Sequence, residues 1–413
     1  MPLTVHKFGG TSIADAAHIK AAAKRIIKTY SAGNKVVVVV SARGKMTDEL
    51  LELAYEINDN PSTRELDMLL STGEQMSGAL MAMAIHSLGY PAVSFTGRQV
   101  GITTDSFHTN ARIINIDANR IIEALAQDKI VIVAGYQGAD ENDNITTLGR
   151  GGSDTTAVAL AAMLKADTCD IYTDVDGIYT ADPRIVPEAR KLTKISYDEI
   201  LELASMGAQV VHVRSIEFAK NYNVPIRVRP SFNDGTGTLI CKEVSEMEKI
   251  VVSGATVTKN EAKITIIGVY DKPGQAAKIF QELAKENVNV DMIIQNIGAQ
   301  GLTDVTFTVL KEDLPQALAT TERIKEEIKA KKIIADDKIA KLSVVGVGMR
   351  SHCGIAEMLF STLSNEKINI QMISTSEIKI SCVIEEDQAE RALIAVHRAF
   401  GLDKESQAFT QSI

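Results

Sequence analysis

The sequence predicts an α/β protein in two parts. A parallel-rich sheet sandwiched by helices occupies residues 1–245, two smaller α+β units of βαββαβ pattern occupy 246–341 and 342–403, and a polar tail covers 404–413. Three observations carry this prediction. Strand-like runs alternate with helical patterns through the first part, which implies parallel strands with helices on both faces. Several of these runs stop at loops rich in glycine and other small residues. Beyond residue 260 the chain contains an internal repeat.

In chain order, Thr4–Phe8 alternates like a strand and ends in Gly9-Gly10-Thr11-Ser12. Ile19, Ala22, Ala23, Ile26 and Ile27 then share one face of a helix. Val36–Val40 is a continuous β-branched run, as expected of a parallel strand buried on both faces. It ends in Ser41-Ala-Arg-Gly-Lys-Met-Thr47, and Ser71-Thr-Gly-Glu74 is read as opening a later helix. Further strands are expected at 92–95, 130–134, 170–173 and 226–228. Open parallel sheets bind ligands at the carboxyl ends of their strands. Lys7, Ser41 and the stretch Gly149–Asp154 all fall at or just after such ends.

The densest stretch is Thr147-Leu-Gly-Arg-Gly-Gly-Ser-Asp-Thr155, between a strand and an apolar helical run. A glycine-rich turn opening a helix presents unpaired N–H groups that bind anions. Arg150 adds a planar fork suited to a carboxylate or phosphate. An ordinary turn would instead use Ser153 or Asp154 as helix N-cap. Lys7 against two glycines is placed to meet phosphoryl oxygens. Two familiar phosphate motifs are incomplete: Gly44-Lys45-Met46 lacks the leading glycine and the Ser or Thr of a P-loop, and Gly346-Val-Gly348 lacks its third glycine. Asp174, Asp176 and Asp182 lack the spacing of an EF-hand and are read as part of a nucleotide-lining loop.

A net charge of −9 argues against general nucleic-acid binding. The four cysteines are widely spaced and read as reduced thiols. No apolar run reaches the roughly 18 residues of a membrane span. A cytoplasmic protein is expected.

The repeat pairs Ile264–Gly268 with Leu342–Gly346. After the loop it pairs Gly274, Ala276, Phe280, Leu283, Asn289, Met292 and Ile293 with Gly354, Ala356, Phe360, Leu363, Asn369, Met372 and Ile373. Later strands are expected at 304–310 and 378–384.

The motifs Lys7-Phe-Gly-Gly-Thr-Ser12, Val40-Ser-Ala42 with Thr47-Asp48, Ser71-Thr-Gly-Glu74, Thr147–Asp154 and Tyr172-Thr-Asp-Val-Asp-Gly-Ile-Tyr-Thr-Ala-Asp-Pro-Arg184 together resemble aspartate kinases of the amino-acid-kinase fold. The repeat resembles their tandem ACT domains. The resemblance implies ATP-dependent phosphorylation of the β-carboxylate of L-aspartate, giving 4-phospho-L-aspartate and ADP. This is the entry to lysine, threonine, methionine and isoleucine synthesis, with feedback by lysine, threonine or both. It implies Lys7 and Asp154 as catalytic residues, and Lys7, Phe8, Gly9, Gly10, Thr173, Asp174, Tyr179 and Arg184 around ATP. Aspartate would be held by Ser41, Thr47, Glu74, Arg150, Gly151, Ser153 and Asp154. Effector contacts would come from Asp271, Lys272, Pro273, Gly274, Gln275, Ala276, Asn289, Val290, Asp291, Gln295, Ile355, Ala356, Asn369, Ile370, Ser376 and Glu377. Mg²⁺ would arrive with ATP rather than in a protein cage, and a homo-oligomer would form through the ACT units. Gln209 stands where such kinases often carry a lysine, Arg43 where methionine is common, and Cys353 where the second ACT loop usually has proline. The alternatives are a related kinase acting on another acceptor and a non-catalytic amino-acid sensor.

Overall fold

The computed structural model describes residues 1–205, 211–242, 251–297, 301–350 and 352–404. Gln209, Ser351, the Arg350 side chain and positions 405–413 of the expected tail lie outside the described residues. The chain forms two compact units. The first holds Met1–Ile178, Lys191–Ser205 and residues 211–242, and the second holds Tyr179–Arg190 and the described residues from 251 onward. The sequence reading kept 179–190 with the first part.

The first unit runs β1 (Leu3–Phe8), α1 (Ala16–Ser31), β2 (Lys35–Val40), α2 (Met46–Ile57), α3 (Thr63–Ser87), β3 (Ala92–Phe95), β4 (Ile102–Thr104), β5 (Ile113–Ile116), α4 (Asn119–Ala126) and β6 (Ile130–Ala134). It continues with β7 (Gln137–Ala139), β8 (Ile145–Thr147), α5 (Gly152–Leu164), β9 (Thr168–Thr173), β10 (Lys194–Ser196), α6 (Tyr197–Ser205), α7 (Val213–Tyr222), β11 (Ile226–Pro230) and β12 (Thr238–Cys241). Its main sheet has the order β10-β12-β11-β9-β1-β2-β6-β3 and is parallel apart from the β11–β12 pair. The predicted α/β architecture is the observed one. Val36–Val40 are all buried, as the unbroken β-branched run requires of a central strand. Ile19, Ile26, Met81 and Ile85 pack onto Val36, Val38 and Ile132 to form the core on one face. On the other face α5 is buried nearly all round, so its apolar run shows no polar stripe.

Register sets up the site. Phe8 lies opposite Val40 and Tyr172, and Val40 opposite Ala134. Four neighbouring strands therefore end nearly level, and the loops starting at Gly9, Ser41, Gly135 and Asp174 leave from one edge. The chain order reverses at β1, flanked by β2 and β9, where such sheets open a ligand crevice. A four-stranded sheet, β5-β4-β7-β8, rises beside this edge and carries Thr147 at its end.

The second unit contains β13 (Gly254–Tyr270), α8 (Gln275–Lys285), β14 (Val290–Ile297), β15 (Leu302–Leu310), α9 (Leu314–Ile324), β16 (Lys332–Val345), α10 (Ile355–Asn365), β17 (Met372–Thr375), β18 (Lys379–Glu385) and α11 (Ala389–Ala399). One antiparallel sheet, β14-β15-β13-β16-β18-β17, serves both repeats. The long strands β13 and β16 run through both halves, with a register shift between Thr258 and Lys263. As a result, Gly254–Thr258 pairs with Lys341–Val345, and the second repeat takes an outer strand from in front of the first. The repeat alone could not reveal this, because the counterpart strand of the first copy, residues 332–336, follows that copy, whereas Gly254–Thr258 lies ahead of both. Ala181 and Val186 sit in the core of the second half with Leu342, Leu359 and Leu393. Thr180 Oγ1 lies 2.9 Å from His397 Nε2 and its carbonyl accepts from the Ala255 N–H. Among the described residues, no helix is long and apolar enough to cross a membrane.

Candidate active site

β1 delivers Lys7 and Phe8 to the shared strand edge. Lys7 Nζ lies 2.6 Å from Asp154 Oδ1, with both side chains largely buried. That oxygen has no directed hydrogen bond, so the contact is a charge contact. Phe8 stacks on Tyr172 with ring centroids 4.7 Å apart. Gly10 must be glycine for space: a Cβ there would lie 2.7 Å from the Ala42 carbonyl oxygen. The Gly10 carbonyl accepts from the Gly44 N–H at 2.9 Å, and the Ser41 N–H donates to the Phe8 carbonyl at 3.1 Å. The loops after β1 and β2 are thus fastened together. Ser41 and Thr47 are half-buried, with Thr47 in the first turn of α2.

Glu74 does not open a helix, as the sequence suggested. It sits in the middle of α3, which begins at Thr63. The Ser-Thr-Gly triplet that reads as a helix start is accommodated inside a 25-residue helix. Gly73 is needed there for close approach, since a Cβ would meet that of Ala42 at 2.8 Å. The approach brings the Glu74 carboxylate beneath the Ser41–Ala42 loop, where Oε1 accepts from the Ala42 N–H at 3.0 Å. Oε2 is buried with no hydrogen-bond partner. Burial raises the Glu74 carboxyl to about 7, with the Ala42 N–H pulling the other way.

The turn between β8 and α5 is built on left-handed glycines, Gly149 at φ 74° and Gly151 at φ 73°. Gly151 is the N-cap of α5, and neither Ser153 nor Asp154 caps the helix. Both are buried in its first turn, which leaves Asp154 free to face Lys7. A Cβ at Gly151 would lie 2.2 Å from His212 Cγ, one at Gly152 2.8 Å from Tyr136, and one at Gly135 2.9 Å from Ser153. Arg150 projects from this packed turn exposed, with no hydrogen bond or ion pair among the described residues.

Sequence reasoning missed the residues that hold the turn. Arg214 donates to the Leu148 carbonyl at 2.8 Å and the Ala111 carbonyl at 2.7 Å. Buried Asp67 accepts from Thr147 Oγ1 at 2.6 Å and from the Thr109 N–H. The available signal was spacing: Asp67 precedes Glu74 by seven residues, two turns along one face of a helix.

On the nucleotide side the predicted residues divide. Thr173 ends β9 and Asp174 follows it in the first unit, and the Thr173 carbonyl accepts from the Ser231 N–H at 2.8 Å. Tyr179 and Arg184 belong to the second unit. Arg184 is well exposed and forks onto Asp182, which holds that carboxyl below its usual range.

In the second unit a cavity of about 340 Å³ is lined by Tyr270, the loop Asp271–Ala276, Gln295, Thr303 and Val305. Gln275 Oε1 is buried without a partner. Asn289, Val290 and Asp291 are not in this lining, and Asp291 pairs with buried Lys341 instead. In the second repeat Ile355 is buried, and Ala356 and Ile370 pack against the core. Asn369, Ser376 and Glu377 are exposed.

A family model described as the amino acid kinase family matches residues 2–230, and two ACT domain models match 263–328 and 342–400. The chain is 53% identical to an aspartate kinase of Pseudomonas putida over 404 residues, 98% of each chain. Its structure is similar to that of Escherichia coli aspartokinase III in complex with aspartate and ADP. There the TM-score is 0.76 at 26% identity, over 96% of this chain and 99% of that one. The same E. coli enzyme with lysine and aspartate gives a TM-score of 0.75 at 26% identity, again over 96% and 99%.

Proposed function

The chain belongs to the aspartate kinase family and is an enzyme that phosphorylates aspartate; from that premise we propose that it transfers the γ-phosphoryl group of ATP to the β-carboxylate of L-aspartate, giving 4-phospho-L-aspartate and ADP. The observation that carries the reading is Glu74. A carboxylate oxygen buried without a partner is costly unless a cation joins it, and the ammonium of a free amino acid is such a cation. Arg150, exposed and unpaired, takes the α-carboxylate as a fork. Ser41, Thr47, Gly151 and Ser153 line the remainder of the aspartate site.

The chemistry needs no general base. The attacking β-carboxylate is ionised at neutral pH, its ordinary pKa being about 3.9. What must be supplied is alignment of two anions and neutralisation of charge as phosphate moves. Lys7 serves the phosphate side, with Phe8, Gly9 and Gly10 shaping the approach of the nucleotide. Asp154 holds the Lys7 ammonium in place. Thr173, the last residue of β9, and Asp174 after it serve the nucleotide. Mg²⁺ enters on the nucleotide. Asp154, buried beside Lys7, would be the protein carboxylate to meet it. When bound, the ion neutralises charge on the phosphate oxygens.

The second unit is the regulatory part. The cavity at Asp271–Ala276 suits a free amino acid: the Asp271 carboxylate meets an ammonium, and the open N-terminus of α8 at Gly274 meets a carboxylate. Lysine, threonine or both are the effectors, consistent with a product that starts the lysine, threonine and methionine pathway. Chains pair through this unit, whose edge strands β14 and β17 expose Ile293 and Ile373 at matching positions of the repeat.

The test is ADP formation with Mg-ATP and L-aspartate, trapping the acyl phosphate with hydroxylamine, then repeated with lysine and threonine singly and together. Aspartate-dependent hydroxamate suppressed by an effector is the expected result. No turnover of aspartate, with turnover of another acceptor, overturns the substrate assignment.

A further inference from the structure

The established chemistry leaves a fully buried carboxylate unused. Asp67 lies in α3 with no exposed surface, two turns before Glu74. A buried carboxylate persists only if its oxygens are satisfied, and here every partner donates to it. The Thr147 hydroxyl reaches Oδ1 at 2.6 Å, and the Thr109 N–H reaches both oxygens at 3.0 and 3.1 Å. His108 Nδ1 lies 2.7 Å from Oδ2, where the ring donates in the tautomer that carries its proton on Nδ1. These contacts converge on the glycine-rich turn. Thr147 is the last residue of β8, and its carbonyl accepts from the Ala111 N–H at 2.8 Å. The loop from Thr109 to Asn110 walls Gly149, whose Cβ position would lie 2.9 Å from Asn110 Oδ1 and 3.1 Å from the Thr109 carbonyl oxygen. Arg150 follows directly.

We propose that Asp67 is a positioning residue for substrate carboxylate recognition: by clamping Thr147 and the Thr109 amide to α3, it fixes the turn that carries Arg150 relative to Glu74 on the same helix. One rigid helix then sets the distance between the groups that read the two charges of the amino acid. This rests on the reading that Arg150 takes the α-carboxylate.

The experiment is steady-state kinetics of Asp67→Asn in the full-length enzyme. Asparagine keeps the shape but offers one acceptor and one donor to three donors. The expected result is an aspartate KM raised about 10- to 100-fold, the range that loss of a charge-assisted contact gives, with kcat within about threefold and the KM for Mg-ATP unchanged. Succinate, an aspartate analogue that keeps both carboxylates but lacks the ammonium, serves as the competing probe, and its inhibition constant should rise by the same factor. Thr147→Val should move both in the same direction by less, and it serves if Asp67→Asn fails to fold. Aspartate weakened with succinate unchanged would mean the effect runs through Glu74 and would overturn the proposal. So would a parallel rise in the Mg-ATP KM, a collapse of kcat, or no change at all. Arg150→Ala separates the two readings. If it leaves the aspartate KM unmoved, the Arg150 assignment fails. If it raises that KM while Asp67→Asn does not, only the role of Asp67 fails.

Discussion

Each unit uses a left-handed glycine to open a helix beside a candidate ligand site, and the two settings are opposite. Gly151 caps α5 at φ 73°, and a Cβ there would lie 2.2 Å from the His212 ring. Gly274 caps α8 at φ 95°, and a Cβ there would meet nothing within 4 Å. Gly354, at φ 86° before α10, is equally open. The turn at Gly151 is therefore held by packing before any ligand arrives, the setting that stabilising developing charge requires. The turns at Gly274 and Gly354 stand in open space, where a ligand can supply the contacts that the protein does not. Identical local backbone chemistry thus gives a rigid site in one unit and a receptive one in the other.

The comparison breaks most visibly if the charge at the packed site is dispensable. Lys7→Met removes the cation at the end of β1 and strands Asp154. The expected loss in kcat is about 10³-fold, the scale seen when a transition-state cation is removed in phosphoryl transfer, with little change in the aspartate KM. Hydroxamate formation under saturating substrates measures it. A loss below tenfold would mean that Lys7 is only a structural partner of Asp154.

Gly151→Ala tests the packing itself. A left-handed alanine costs about 1–2 kcal/mol, and the methyl must also displace the His212 ring. A fall in kcat/KM for aspartate of about 100-fold is expected, and Gly151→Ala combined with His212→Ala should recover part of it. If the double variant recovers nothing, backbone strain rather than packing sets the turn.

Glu74 sharpens the comparison through pH. Its carboxyl is raised to about 7, so the free enzyme holds it largely protonated below neutrality. The charged form is what meets an ammonium. The kcat/KM for aspartate should therefore climb about tenfold per pH unit below 7 and level off above it. The same shift means that the free protein loses stability as pH rises through 7, because a buried charge appears; bound aspartate offsets this. Glu74→Gln should flatten the pH profile and raise the aspartate KM about 10- to 100-fold. A slope that survives the substitution would assign the titration to another group.

Much of this was legible in the sequence, and what was not has a common cause. The continuous valines of β2, the loops at Gly9 and Gly149, and the repeat-related helices α8 and α10 follow from periodicity, composition and self-similarity, all local signals. The interior position of Glu74 was hidden because Gly73 looks like a helix boundary, and only contact with Ala42 explains it. Arg214 and His212 were invisible as residues that hold the turn because each acts on a stretch far away in the chain, and Asp67 showed only its seven-residue spacing from Glu74. The membership of 179–190 in the second unit was hidden for the same reason: Ala181 and Val186 find their core partners only in the fold. Segments that contact distant elements carry no local mark of it.

The smallest expected effect is also the most diagnostic of the open setting. At Gly274 an alanine methyl has room on every side, so the only cost is that of the left-handed backbone, about 1–2 kcal/mol. Thermal unfolding should register a shift of a few degrees at most, against a larger one for Gly151→Ala. The methyl would, however, project from the turn whose N–H groups are proposed to meet the effector carboxylate. The concentration of lysine or threonine giving half-inhibition should therefore rise about five- to tenfold, the equivalent of about 1–1.4 kcal/mol of lost contact. Gly354→Ala makes the matching test for the second repeat. If Gly354→Ala shifts the effector response and Gly274→Ala does not, the sensing loop is the one at 354, and the cavity at Asp271–Ala276 serves assembly instead. If Gly274→Ala destabilises the protein as much as Gly151→Ala, the open setting is not real in solution, and the contrast between the two turns falls with it.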